Sequence, residues 1–420
     1  MTLSQSRSTG CASDRLRHIG RRAVHRILLQ GMACTALGLG LAAGVHAQEA
    51  KPIKVGLFFD FTGAAATLAE PAKLAIDMAV GEINAKGGIV GRKIETIVAD
   101  TQTDPTIGVG EIKRLVLQEK VDVVLGPVIS QVLLAALPVL NEAKILSISA
   151  TGTDVTTPQA APYNFSIMVS AQTQAIVMAE DAAKRLGAKT AAILSDSGAQ
   201  AKSFVPAVKA ELEKRGVRVS GTQEFQYQAT DMTPQLLALR RGNPDVLILL
   251  ASTGPDVGNT MKGIAELGWK VKVSGTYSMG GFAAGAIRIA GADAFKNASG
   301  INYKAFTFCS GQGNPEAFAE FVAKMRKFNP ERAGRVSLPV AAFIYDTVYL
   351  LKAAIEGTGG KTDGPTLAAW IEKNAKDFSG VNIKFAASPT THFLIGPDNL
   401  ATVQPEQLRD GVFQQRLNCP

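Results

Sequence analysis

Residues 53–105 read IKVGLFFDFTGAAATLAEPAKLAIDMAVGEINAKGGIVGRKIETIVADTQTDP, and the order of patterns in this stretch decides the fold. Ile53 to Phe59 is an apolar run, β-branched and aromatic, long enough for a buried strand, and it opens into a polar Phe61-Thr62-Gly63 loop. Ala72, Leu74, Ala75, Met78, Ala79 and Ile83 then fall near helical spacing on one face. Pro71 suits a first turn, and Gly87-Gly88 ends the helix. Ile94 to Ala99 starts a second strand that closes on Asp100. Strand, loop, helix and strand in that order predict a βαβ unit.

The alternation continues. Short apolar runs at Val121 to Leu125, Ile145 to Ser149, Ala191 to Leu194, Val246 to Leu250 and Val271 to Ser274 are separated by helical patterns and by joints such as Gly126-Pro127 and Gly242-Asn243-Pro244. Nearly uninterrupted apolar strands alternating with helices predict an α/β fold whose parallel sheets are covered on both faces. About 370 residues follow Ala47, more than one core usually serves, so two domains are expected.

The chain opens with Arg7, Arg15, Arg17, Arg21, Arg22 and Arg26 against the single acid Asp14. A largely apolar or small stretch from Ile27 to Val45 follows, then Val45-His46-Ala47. This is the pattern of a signal peptide cleaved near Ala47, so residues 1–47 are expected to export the chain to the periplasm. A membrane anchor is the alternative, against which stand the short apolar part and its interruption by Gln30 and several glycines. Cleavage leaves 38 basic and 35 acidic residues. A near-neutral surface without Lys or Arg blocks gives no support for nucleic-acid binding. No later apolar stretch reads as a membrane span. Two cysteines remain, Cys309 and Cys419; an even count in an oxidising compartment permits one disulfide, and the alternative is one buried thiol and one in a frayed terminus.

Catalytic and metal chemistry find little to work with. Three of the four histidines precede the cleavage site, leaving His392 in a turn-rich segment, where an exposed or structural role is expected. No Cys/His cluster has zinc spacing, and neither a GxGxxG fingerprint, a phosphate-binding loop nor a nucleophile elbow is present. An enzyme is not expected, and no cofactor or metal.

The phrase EINAKGGIVGRKIE (residues 82–95), together with the polar loop after the first strand, resembles the leucine- and branched-chain-amino-acid-binding family of periplasmic solute receptors, the type I two-lobed binding proteins of ABC importers. The resemblance extends over nearly all of the chain after the export segment. It implies two Rossmann-like lobes joined by a hinge that the backbone crosses three times, near Tyr163 to Ser170, Gly300 to Phe306 and Ile383 to Ala387. Lobe one would hold 51–168 and 305–384, and lobe two 169–304 and 385–420. It further implies capture of a small solute by hinge closure, a monomer, and as partners the permease and ATPase subunits of an importer. A sensor of the same fold coupled to a signalling protein is the alternative.

Ligands of α/β sheets bind at the carboxyl ends of strands, where loops meet helix N-termini. On the family pattern, Ser130 and Thr151 would hold a ligand carboxylate, with Ser149 and Ala150 on adjacent backbone contacts; Ser and Thr also cap helices and turns, which is the plain reading of the same residues. Family aromatic positions of the other lobe carry Gln200 and Thr253, and the acid that binds an α-ammonium is replaced by a segment in which Tyr277 stands nearest. These three are the remaining expected ligand contacts. The missing acid argues for a simple carboxylate, an aromatic acid or an amide, unless Asp154, Asp196 or Asp256 substitutes.

Overall fold

The computed structural model describes residues 50–63, 65–381, 384–410 and 412–419; the expected export segment 1–47 and Ile383 of the expected third crossing lie outside them. Five parallel strands, β1 (Ile53–Phe59), β2 (Ile94–Asp100), β3 (Val123–Leu125), β4 (Leu146–Ser149) and β5 (Asn164–Ser166), lie side by side in the order β2-β1-β3-β4-β5. A second sheet holds β6 (Thr190–Asp196), β7 (Arg218–Phe225), β8 (Val246–Leu250), β9 (Lys272–Gly275), β10 (Ala298–Tyr303), β11 (Thr307–Phe308), β12 (Leu400–Arg409) and β13 (Phe413–Arg416). Its order is β11-β13-β12-β10-β9-β8-β6-β7. The α/β class with parallel sheets is therefore what the alternating pattern predicted.

Burial explains the composition of the strands. Every residue of β8, VLILL, is buried, because helices cover both faces of a central parallel strand. β7 lies at the sheet edge with mostly half-buried residues, and its sequence RVSGTQEF shows no apolar run. The helix Leu338–Gly357 is long and apolar enough to cross a membrane, contrary to the sequence expectation that no late segment would be. In the fold, 83% of its most apolar window is buried, and it packs on the helix Ala66–Ala85. It is a core helix.

The ends of the chain depart from the expected lobe boundaries. β11 was expected with the first lobe, yet it pairs with β13 in the eight-stranded sheet. The segment after residue 384 was expected in the second lobe, yet Phe393 bridges Ser166 of β5. The chain then enters the second sheet, where β12 runs antiparallel to β10 and to β13. The reason is that a free sheet edge attracts a strand, and both edges are reached by the same tail. Cys309, just after β11, and Cys419, just after β13, form a disulfide with Cα atoms 5.8 Å apart.

In each sheet the chain first adds a neighbour on one side of its opening strand and then moves to the other side: β2 and β3 flank β1, and β7 and β8 flank β6. Loops leaving such a pair in opposite directions open a crevice at the carboxyl ends of the strands. In the first lobe that point is occupied by Asp60 and Gly126; in the second it is occupied by Asp196 and the loop from Ala251 to Asp256.

Candidate functional site

The first wall is built by two stitched loops. Gly126 N donates to Ile148 O at 2.8 Å, and Ala150 N donates to Pro127 O at 2.9 Å, so the loops after β3 and β4 run together. Gly126 adopts φ +104°, and a Cβ there would lie 2.0 Å from Phe58 O. Only glycine lets the loop pass so close to β1. Ser130 is the buried first residue of the helix Ser130–Ala143, and Ile129, which has no polar side chain, stands at its N-cap. The Ser130 hydroxyl therefore sits at a helix N-terminus whose cap position offers no side-chain acceptor. Thr151 is buried, its Oγ1 lies 3.2 Å from Ser149 Oγ, and its carbonyl accepts from Ser166 Oγ at 2.6 Å. Ser149 is fully buried within this network, and the Ala150 amide is already donated to Pro127. These two brace the wall.

Three sequence-expected residues belong to the second lobe. Gln200, in the first turn of the helix Ala199–Lys214, reaches the opposite loop: a Cβ on Gly152 would lie 2.5 Å from Gln200 Nε2. The lobes also meet through Thr153 Oγ1 and Ser203 Oγ at 3.4 Å. Thr253 caps the helix Gly254–Glu266, accepting from Asp256 N and donating to Asp256 Oδ2 at 2.8 Å. Its hydroxyl is thereby committed within its own lobe. Tyr277 is fully buried among Phe282, Tyr303 and Phe343, with ring centroids 5.1 to 6.3 Å away. Its hydroxyl has no hydrogen-bond partner, and burial holds the phenol well above its ordinary pKa.

The crevice is acidic, a feature only partly anticipated. Asp60, directly after β1, is fully buried; Thr101 Oγ1 donates to its Oδ1, and its Oδ2 has no partner. Burial raises this carboxyl to about 6, with the charge of Asp100 adding to the effect. Asp196 closes β6, accepting from Gly198 N at 2.8 Å and Ser252 N at 2.6 Å; burial raises it too. Asp256, also buried, leaves Oδ1 unpartnered, and burial together with the nearby Asp196 raises it to about 7. Tyr227 lies against Gly198 and packs on the apolar cluster that includes Phe58, two residues before Asp60. Burial raises its phenol, with Asp196, Asp256 and Asp60 all contributing. One tyrosine thus senses acids from both lobes. Asp154 has a different task, accepting from Ala171 N and Gln172 N at the start of the helix Ala171–Glu180.

Sequence reasoning passed over Asp60 and Tyr227. The available signal was an ionisable residue immediately after a strand of fully apolar character, at the switch point of a parallel sheet. His392 is structural: Nδ1 lies 3.0 Å from Asn164 O, Nε2 lies 3.0 Å from Glu372 Oε1, and the ring stacks on Phe165.

A family described as periplasmic binding protein matches residues 52–410. The Leu/Ile/Val-binding protein BraC3 of Rhizobium johnstonii is 26% identical over 346 residues, covering 81% of this chain and 88% of that one. Among solved structures, the periplasmic binding protein type 1 of Bordetella pertussis Tohama I superposes with a TM-score of 0.76 at 24% identity, over 87% of this chain and 100% of that one. The solute binding protein of an ABC transporter from Rhodopseudomonas palustris BisB5, solved with 3,4-dihydroxybenzoic acid, gives 0.73 at 23% identity, over 87% and 96%.

Proposed function

Because the chain belongs to the periplasmic binding protein family, whose members bind solutes and are not enzymes, we propose that it is the extracytoplasmic substrate-binding subunit of an ABC importer of the branched-chain-amino-acid type. Residues 1–47 would direct export and be removed near Ala47. The solute is a small molecule bearing a carboxylate, taken up between the lobes. Ser130 and Thr151 receive the carboxylate on lobe one, and Gln200 adds a contact from lobe two as the hinge closes and the closed form gains population. The closed receptor is then read by a permease that contacts both lobes.

The observation that carries this reading is the Ser130 hydroxyl at a helix N-terminus whose N-cap residue, Ile129, has no polar side chain, on a loop stitched to the one that holds Thr151. A helix N-terminus favours negative charge and supplies free N–H groups. The relatives' names bracket the chemistry, from Leu/Ile/Val to a dihydroxybenzoate, and a carboxylate is common to both. The test is a thermal-shift screen of the exported protein against amino acids, aromatic acids, short aliphatic acids and amides, since a solute that binds only the native state raises Tm. Carboxylates are expected to shift it. Ser130→Ala together with Thr151→Ala is expected to abolish that shift with little change in the ligand-free melt; an undiminished shift removes both residues from the site.

A further inference from the structure

Resting on the hinge closure proposed above, we propose that the Tyr277 hydroxyl biases the receptor open: it is stranded where the lobes meet in the closed form and reaches water when they part. The structure holds that closed form. Thr153 Oγ1 of the first lobe lies 3.4 Å from Ser203 Oγ of the second. Phe282 of the second lobe packs on the first-lobe cluster that includes Phe58 and Ala65, and a Cβ on Gly152 would meet Gln200.

The seam is built from both sides of the hinge. Tyr277 opens a short helix, Tyr277–Gly281, that lies on β10 of the second sheet. Its ring meets Tyr303 at the end of β10 and Phe343 of the first-lobe helix Leu338–Gly357, with centroids 5.1 and 6.3 Å away. Its backbone N–H donates to Gln174 Oε1 at 2.9 Å, and Gln174 Nε2 donates in turn to Val169 O at 3.3 Å, which fixes the residue beside the first expected crossing. Ser337, just before the first-lobe helix, donates from Oγ to Gly281 O at 3.2 Å. The phenol is folded against this same glycine: a Cβ on Gly281 would lie 2.7 Å from the Tyr277 hydroxyl oxygen. The hydroxyl therefore stands at the lobe seam, yet the residue is 1% exposed and the oxygen has no partner among the described residues. A buried Tyr hydroxyl ordinarily finds a partner, and leaving one without costs more than deleting it. Parting the lobes withdraws Phe343 and Ser337 from the seam and lets water reach the oxygen, so this cost falls on the closed form.

The test reads the closed fraction of the exported protein without any solute, so its failure is separate from a failure of the carboxylate reading. Thr153→Cys with Ser203→Cys places two thiols across the crevice, and the rate at which a fixed excess of diamide joins them reports how often the lobes close. Small-angle X-ray scattering reports the average separation of the lobes, and a urea melt of each variant is the folding control. In the two-thiol background, Tyr277→Phe is expected to speed cross-linking about fivefold or more, because it removes the stranded hydroxyl and keeps the ring. Ser337→Ala, which removes the bond to Gly281, is expected to slow cross-linking about twofold or more. Scattering from the wild type is expected to be more extended than the closed structure, and that from Tyr277→Phe to move toward it. An unchanged or slower rate in folded Tyr277→Phe, an unslowed rate in folded Ser337→Ala, or wild-type scattering that already matches the closed structure would overturn the proposal.

Discussion

Replacing Asp60 by Asn isolates the cost of burying charge in the crevice. Burial raises this carboxyl from an ordinary value of about 3.9 to about 6. Its charged form is therefore disfavoured in the folded protein by about 3 kcal/mol relative to the unfolded chain. The sign follows from proton binding: between these two values the native state holds more protons than the unfolded one. The contribution of Asp60 is therefore fully present below the unfolded value and lost as pH rises through about 6. Asn cannot titrate, keeps the acceptor for Thr101, and puts an amide nitrogen where Oδ2 has no partner. That unpaired nitrogen adds a cost of about 1–3 kcal/mol, but one that does not change with pH. The expected result, from urea unfolding of ligand-free protein, is that the stability of Asp60→Asn relative to wild type rises by about 3 kcal/mol between about pH 4 and pH 8. A relative stability that is flat across this range, or that falls, would refute the burial argument and with it the picture of an uncompensated acidic crevice.

Other perturbations read other parts of the account. Cys309 and Cys419 are 110 residues apart, so replacing both by Ser releases a loop whose closure entropy amounts to about 4–5 kcal/mol; chemical denaturation is expected to show most of that loss, and a change under about 1 kcal/mol would contradict it. Gly126→Ala forces a Cβ to within 2.0 Å of Phe58 O at φ +104°, and is expected to cost about 2–4 kcal/mol in a thermal or urea melt and to weaken binding through the displaced Ser130 loop. Ser130→Ala alone leaves the N-cap residue Ile129 unchanged, so its ligand-free stability is expected to stay within about 0.5 kcal/mol of wild type while carboxylate binding falls.

The parallel sheets were legible because their central strands carry unbroken apolar runs, and the loops of Ser130 and Thr151 were legible as strand ends. What escaped was set by distant partners. β7 is an edge strand with polar residues, so it lacks the run that marks a buried one. The placements of β11 and of the Phe393 segment were missed because the pairing of β11 with β13 and the bridge from Phe393 to β5 depend on sheet edges formed far away in the chain. Thr253 was expected as a ligand contact, and its capping bonds with Asp256 depend on the helix that follows it. Asp60 looks locally like an ordinary turn acid. Its full burial is a property of the folded crevice and has no local mark in the sequence.

The central claim is that one solute spans the interlobe crevice with its carboxylate on the first wall. A crystal structure of the protein with whichever probe gives the largest thermal shift tests it most directly. The account predicts a carboxylate oxygen within hydrogen-bond distance of Ser130 Oγ, with the solute between the two lobes. A carboxylate turned away from Ser130, or a solute bound outside the crevice, would contradict it.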